Sequence, residues 1–131
     1  MVKDTLLDSH IAAGKILLQE LDAREFNITT AMWFYYPDFE EWKLLLFSPQ
    51  FDEIGQRESY TKISEIITDL GQKVGMISLM AIKLIFKNDP LLKLFKNIIH
   101  IEGISTVRMT SNYLNGIYVD DAVIYRNIIA K

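Results

Sequence analysis

The sequence predicts a single α+β domain over residues 1–131, in the order α-β-β-α-β-α-β-β, with a mixed sheet of about five strands packed with three helices. Three observations carry that reading. Nine of the fifteen aromatic residues lie between Phe26 and Phe51, most of them on two runs, 28–36 and 42–48, that flank a turn sequence. Apolar residues recur at helical spacing in separate stretches. Near the end, a polar–apolar alternation leads into Asn115-Gly116, a pair that tolerates the positive φ of a two-residue hairpin turn.

The first element is a helix, because Leu7, Ile11, Gly14, Leu18 and Leu21 form one stripe with Leu17 beside it. Asp4 or Thr5 is suited to cap its start, and the pattern runs out near Arg24. A glycine at position 14 costs a helix about 1 kcal/mol relative to alanine, so close packing on the sheet is the expected reason for it. The hairpin follows, turning at Tyr36-Pro37-Asp38-Phe39-Glu40, where proline and aspartate favour chain reversal. In its second strand Trp42, Leu44 and Leu46 share one face and Lys43, Leu45 and Phe47 the other. Beyond Lys43 both faces are apolar, the pattern of a strand covered on both sides by helices of the same chain or by a second copy.

Ser48-Pro49 ends that strand, and a loop through Asp52, Glu53 and Gly55 leads to a second amphipathic helix. Tyr60, Ile63, Ile67 and Leu70 form its stripe, Glu58 or Ser59 is the expected cap, and Gly71 stops it. Residues 76–86 lack a polar stripe and are rich in branched side chains, which predicts a buried strand. Asn88-Asp89-Pro90 predicts a helix start, with Asp89 as cap and Pro90 at the first helical position, and Gly103 is the expected end. In the tail Val107, Met109, Ser111 and Tyr113 share a face opposite Thr106, Arg108, Thr110 and Asn112. A last strand runs from Ile117 through Tyr125, with a break expected at Asp120-Asp121. The two helix-containing connections are expected to join parallel neighbours by right-handed crossovers, and the two hairpins antiparallel ones.

Composition narrows function. Half of the residues are hydrophobic, a high share for a small monomer, which favours a homo-oligomer. The absence of cysteine removes disulfides, thiol nucleophiles and thiolate metal sites. A formal charge of −3 argues against nucleic acid, since phosphate binding needs a basic face. Lys83, Lys87, Lys93 and Lys96 make only a local basic excess, read as a solvated helix face. The start, Met1-Val2-Lys3-Asp4-Thr5, carries acid where a signal peptide would be basic, and the longest apolar stretch is interrupted by Lys83. A cytoplasmic protein without membrane attachment or cofactor is expected.

Two constellations could carry chemistry. Pro37-Asp38-Phe39-Glu40-Glu41-Trp42-Lys43 contains Pro-Asp followed by Glu-x-Lys, and so resembles the signature of PD-(D/E)xK nucleases. The resemblance implies Mg²⁺ held by Asp38 and Glu41, with Lys43 acting at a phosphate. The family usually spreads these residues over neighbouring strands, whereas here Asp38 sits in the turn; a solvated hairpin tip is the competing reading. The second constellation is the polar face of the tail, where Arg108, Asn112, Tyr118, Asp120, Asp121 and Arg126 could converge on a carboxylate or phosphate ligand. Arg108 could equally pair with one of the aspartates. His10 and His100 lack the spacing of a metal site, and neither a Gly-x-Ser-x-Gly elbow nor a phosphate-cradling glycine loop is present.

Through Ala31-Met32-Trp33-Phe34-Tyr35, Asp52-Glu53-Ile54-Gly55, Lys87-Asn88-Asp89-Pro90 and Asn115-Gly116-Ile117-Tyr118-Val119 the chain is similar, over nearly its whole length, to small bacterial single-domain proteins. That resemblance implies one compact bacterial domain and no particular activity. The functional expectation is a self-associating protein-interaction module without catalytic activity, possessing a homo-oligomeric or other protein partner. The alternatives are a metal-dependent nuclease or phosphodiesterase using Asp38, Glu41 and Lys43, and a small-ligand sensor using the aromatic cluster and Arg108.

Overall fold

The computed structural model describes residues 6, 8–96, 98–114 and 116–128. Four helices and five strands alternate along them: α1 (Asp8–Ala23), β1 (Thr30–Tyr36), β2 (Glu41–Phe47), α2 (Pro49–Ile54), α3 (Gln56–Leu70), β3 (Ile82–Ile85), α4 (Pro90–Lys96), β4 (Val107–Leu114) and β5 (Ile117–Asn127). The strands form one sheet in the order β3-β2-β1-β5-β4. β2 and β3 are parallel, while β1–β2, β1–β5 and β4–β5 are antiparallel. Among the described residues no helix is long and apolar enough to cross a membrane.

Strand position follows apolar content. β1 and β5 are buried almost throughout and take the centre, whereas β4, whose solvent side is polar, takes one edge. The sheet separates two cores. On one face Leu17, Leu18 and Leu21 of α1 and Ile63 and Ile66 of α3 meet Trp33, Tyr35, Leu44, Leu46 and Tyr125. On the other, Leu94 and Phe95 of α4 meet Met32, Phe34, Leu45, Val119 and Ile124. Both faces of the aromatic hairpin are thus covered by the chain itself.

Several boundaries differ from expectation for local reasons. Ser48-Pro49 ends β2 but also starts α2: the Ser48 hydroxyl accepts from Gln50 N at 3.1 Å, and Pro49 needs no amide partner at the first helical position. The sequence predicts a loop here, because six residues are too few to display a helical period. α3 is capped by Gly55 rather than Glu58 or Ser59, and the Ser59 hydroxyl instead donates to Gly55 O at 2.7 Å. The stretch 76–86 contributes only four residues of strand, since a short 3₁₀ turn occupies Leu79–Ala81. α4 ends at Lys96, before Gly103, which takes φ 71° in a later bend. β3 and β4 lie on opposite edges, so the connection through α4 joins no parallel pair.

Other expectations hold. α1 stops at Ala23, and Glu25, at φ 61°, turns the chain so that Phe26 N donates to Leu21 O at 3.0 Å. Asp89 caps α4 through Leu91 N at 2.9 Å. Gly116 sits at φ 84° in the second hairpin turn; Asn115 lies outside the described residues, as do Leu7 and the expected caps Asp4 and Thr5. The expected break at Asp120-Asp121 does not occur: β5 runs through it unbroken, although its pairing with β4 lapses opposite Asp120, where Ser111 takes φ 50°.

Candidate functional site

Sheet register brings most of the expected site residues to one end of the molecule. Phe34 of β1 pairs with Ala122 of β5, so Tyr36, the β1–β2 turn and the β4–β5 tip lie together at that end. The loop before β3 reaches it too, because Ile82 pairs with Leu44 and the Lys43 ammonium donates to Met80 O at 2.6 Å. Most of the large exposed apolar side chains collect there. Phe39 of the first turn is 73% exposed and Met80 84%, with Met76 and Leu79 close by in sequence. On the second hairpin Tyr113 is 75% exposed and packs at a tilt against Tyr118, ring centroids 4.9 Å apart, next to the exposed Ile117.

Beside Met76 lies a cavity of about 370 Å³, bounded by His10 of α1, Trp33, Glu41, Trp42, Met76 and Ser78. Its wall is rigid on the sheet side: Trp42 packs on Tyr35 at 5.3 Å, and Trp33 Nε1 donates to Tyr125 Oη at 3.0 Å. His10 meets the edge of Trp33 at 6.0 Å.

Of the Asp38, Glu41, Lys43 set, Asp38 is exposed in the turn. Glu41 and Lys43 form a loose 3.8 Å ion pair beside the cavity, and the Lys43 ammonium is already held by Met80 O. Among the described residues no group of three His, Cys, Asp or Glu side chains converges as a metal site. The geometry therefore lends the phosphodiester reading no ligand set.

The tail residues divide. Arg108 binds Asp121 bidentately, Nε to Oδ1 at 3.0 Å and a terminal nitrogen to Oδ2 at 2.6 Å, with its guanidinium 5.9 Å from the Trp42 ring centroid. That hydrogen bonding with Asp121 raises the arginine pKa above its ordinary value, against a smaller opposing effect of burial. Asp121 is the buried member, its side chain 4% exposed. Asn112 donates to Thr110 O at 2.8 Å on its own strand, Tyr118 belongs to the tip, and Asp120 faces the lapse in pairing at Ser111. Arg126 stands apart at the opposite end of β5. Its side chain is 8% exposed and spans Asp22 at 2.7 Å, Gly103 O at 2.6 Å and Ile28 O at 3.0 Å, which is a structural clip.

No sequence motif signals that His10 and Met76 share a cavity wall with Glu41 and Trp42. The loop 75–81 carries no motif, and only the parallel pairing of β3 with β2 brings it there. No family model, curated protein or solved structure matches the chain.

Proposed function

We propose that the protein is a cytoplasmic, self-associating interaction module whose contact surface is the β4 edge and the apolar end of the sheet beside it. The observation that carries this reading is the difference between the two sheet edges. β3 is only four residues long, and α3 covers its flank, with the Tyr60 hydroxyl accepting from Leu84 N at 2.9 Å. β4 is eight residues long and, among the described residues, has β5 as its only neighbour in the sheet, leaving a row of backbone groups of the kind that pairs with another chain. Its tip presents the Tyr113–Tyr118 pair, and tyrosine supplies much contact area at little entropic cost. A two-fold arrangement of β4 against β4 of a second copy extends the sheet and brings both tyrosine pairs into the contact.

The accessible surface is 7464 Å², close to the roughly 7,100 Å² typical of a compact monomer of this mass. Assembly would then join copies that are already folded. A standard interface removes about 800 Å² per partner, roughly a tenth of that surface. The Ser111 kink and the Asn112 bond to Thr110 O interrupt the edge part-way, which limits pairing to short segments and keeps association reversible.

Light scattering over a wide dilution series tests this. A mass of twice 15.2 kDa is expected at high concentration, reverting to the single-chain mass on dilution. The Tyr113→Asp, Tyr118→Asp double variant should stay at the single-chain mass with unchanged circular dichroism. A wild-type protein that never exceeds one chain refutes the proposal.

A further inference from the structure

The end of the sheet opposite the apolar patch holds a second cavity, of about 240 Å³. Its walls come from the start of β1 (Thr29, Thr30), the end of β2 (Phe47), α4 (Leu92, Lys96), Lys87 and Ile128. Two features define what could occupy it. Phe47, Leu92 and Ile128 give it an apolar lining, and two exposed lysines, Lys87 and Lys96, line it as well. Among the described residues neither lysine side chain has a carboxylate partner; the nearest acid interaction is Asp52 accepting the Lys87 backbone N–H at 3.1 Å. Asn127, one of the polar groups in the wall, is already satisfied. Its amide nitrogen donates to Phe95 O at 2.9 Å and Ile99 O at 2.7 Å, and its oxygen accepts from Thr30 Oγ1 at 2.9 Å.

We propose that this cavity binds a small amphiphilic anion, a carboxylate with a short unbranched apolar tail. Two cationic side chains lining one cavity favour an anionic group there. The apolar wall takes the tail, because saturated polar groups offer it no competing demand for water. A volume below the usual range for drug-sized ligands sets the scale: a chain of several methylenes fits, a large ring system does not. The fixed Thr30–Asn127–Phe95 hydrogen-bond chain holds the wall in place before the ligand arrives, which lowers the ordering cost of binding.

The test is an amide-shift titration of the full chain with octanoate below its micellar concentration, using 1-octanol and octylammonium at the same ionic strength. Saturable shifts confined to Thr29, Thr30, Leu92, Ile128 and their neighbours are expected with octanoate, with affinity about fivefold or more above that for octanol. Lys87→Gln with Lys96→Gln should abolish the preference for octanoate over octanol, and the arginine pair at the same positions should keep it. Free carboxylates and bilayer lipids share this chemistry, so co-sedimentation with phosphatidylglycerol vesicles separates the sources. Equal binding of octanoate and octanol, shifts scattered over the surface, no saturation, or vesicle binding without an octanoate response would each overturn the proposal.

Discussion

Replacing Gly14 by alanine sets two physical effects against each other. In an exposed helix interior the change stabilises by about 1 kcal/mol, because alanine is the better helix former. At Gly14, however, α1 lies directly on the sheet. A Cβ there would overlap the Tyr125 hydroxyl oxygen and lie 3.0 Å from both Trp33 Nε1 and Tyr125 Cζ. Neither ring has room to move: both are buried in the core, and the Tyr125 hydroxyl accepts from Trp33 Nε1 and donates to Ile11 O. Overpacking a filled core costs about 1–3 kcal/mol, and disturbing a hydrogen bond to a buried group costs about as much again. Taking central values and subtracting the helix gain leaves a net loss of about 3 kcal/mol.

Equilibrium urea unfolding measures it. With a slope of about 2 kcal/mol per molar, the midpoint should fall by about 1.5 M. The companion measurement is Gly14→Ala in a Tyr125→Phe background, where the clashing oxygen is gone; the penalty there should shrink by at least half, a coupling that only direct contact produces. A Gly14→Ala protein as stable as wild type, or an unchanged penalty in the phenylalanine background, refutes the reasoning.

Tyr125 also makes a pH prediction. Burial, partly offset by the Trp33 hydrogen bond, raises its phenol pKa above the ordinary 10.0. Because the folded pKa is the higher one, the unfolded chain gives up this proton first, so the associated stability is complete below about pH 10 and is lost as pH rises further. Unfolding free energy should therefore fall more steeply above that pH in wild type than in Tyr125→Phe, and parallel curves would contradict it. The two arginine–aspartate pairs should separate in cost. Arg126→Ala strands the Ile28 and Gly103 carbonyls and the Asp22 carboxylate, for a loss of about 3 kcal/mol. Arg108→Ala, at a half-exposed guanidinium, should lose about 1–2 kcal/mol, most of it recovered by adding Asp121→Asn, which removes the buried charge; urea midpoints of the variants decide both.

What was legible in the sequence was whatever local periodicity encodes. The alternation of Trp42, Leu44, Leu46 against Leu45, Phe47 correctly assigned each to a separate core face, and Gly14 in an apolar stripe pointed to close approach. Short elements were not legible. α2 spans under two turns, too few for a 3.6-residue period, and its signal was the Ser48-Pro49 pair, which reads equally well as a strand stop. Strand order was hidden as well, because adjacency of β5 to β1 depends on which strand is apolar on both faces. The site suffered most. Arg126 and Arg108 look alike in an alternating strand, yet one is a buried clip and the other a surface pair, since only the fold brings Asp22 to the first and Asp121 to the second.

The two ends of the sheet differ in how they are held, and that difference bears on what each can bind. At the end with the small cavity, buried groups lock the backbone: Thr30 to Asn127, Asn127 to Phe95 and Ile99, Arg126 to Ile28 and Gly103, and the Ser48 hydroxyl to Phe26 O at 2.6 Å. A surface fixed in this way loses little entropy on binding and suits a small ligand whose own contacts are few. At the other end the bonds run through long side chains, Lys43 to Met80 O and Lys83 to Tyr36 Oη at 3.3 Å, and the exposed residues are tyrosine and methionine. Methionine adapts its shape at low cost and tyrosine adds rigid area, a combination that fits a protein surface better than a single small molecule. The same sheet thus offers a preorganised pocket at one end and an adaptable apolar patch at the other, and α1, packed against Tyr125 through Gly14, ties down β5, which runs between them.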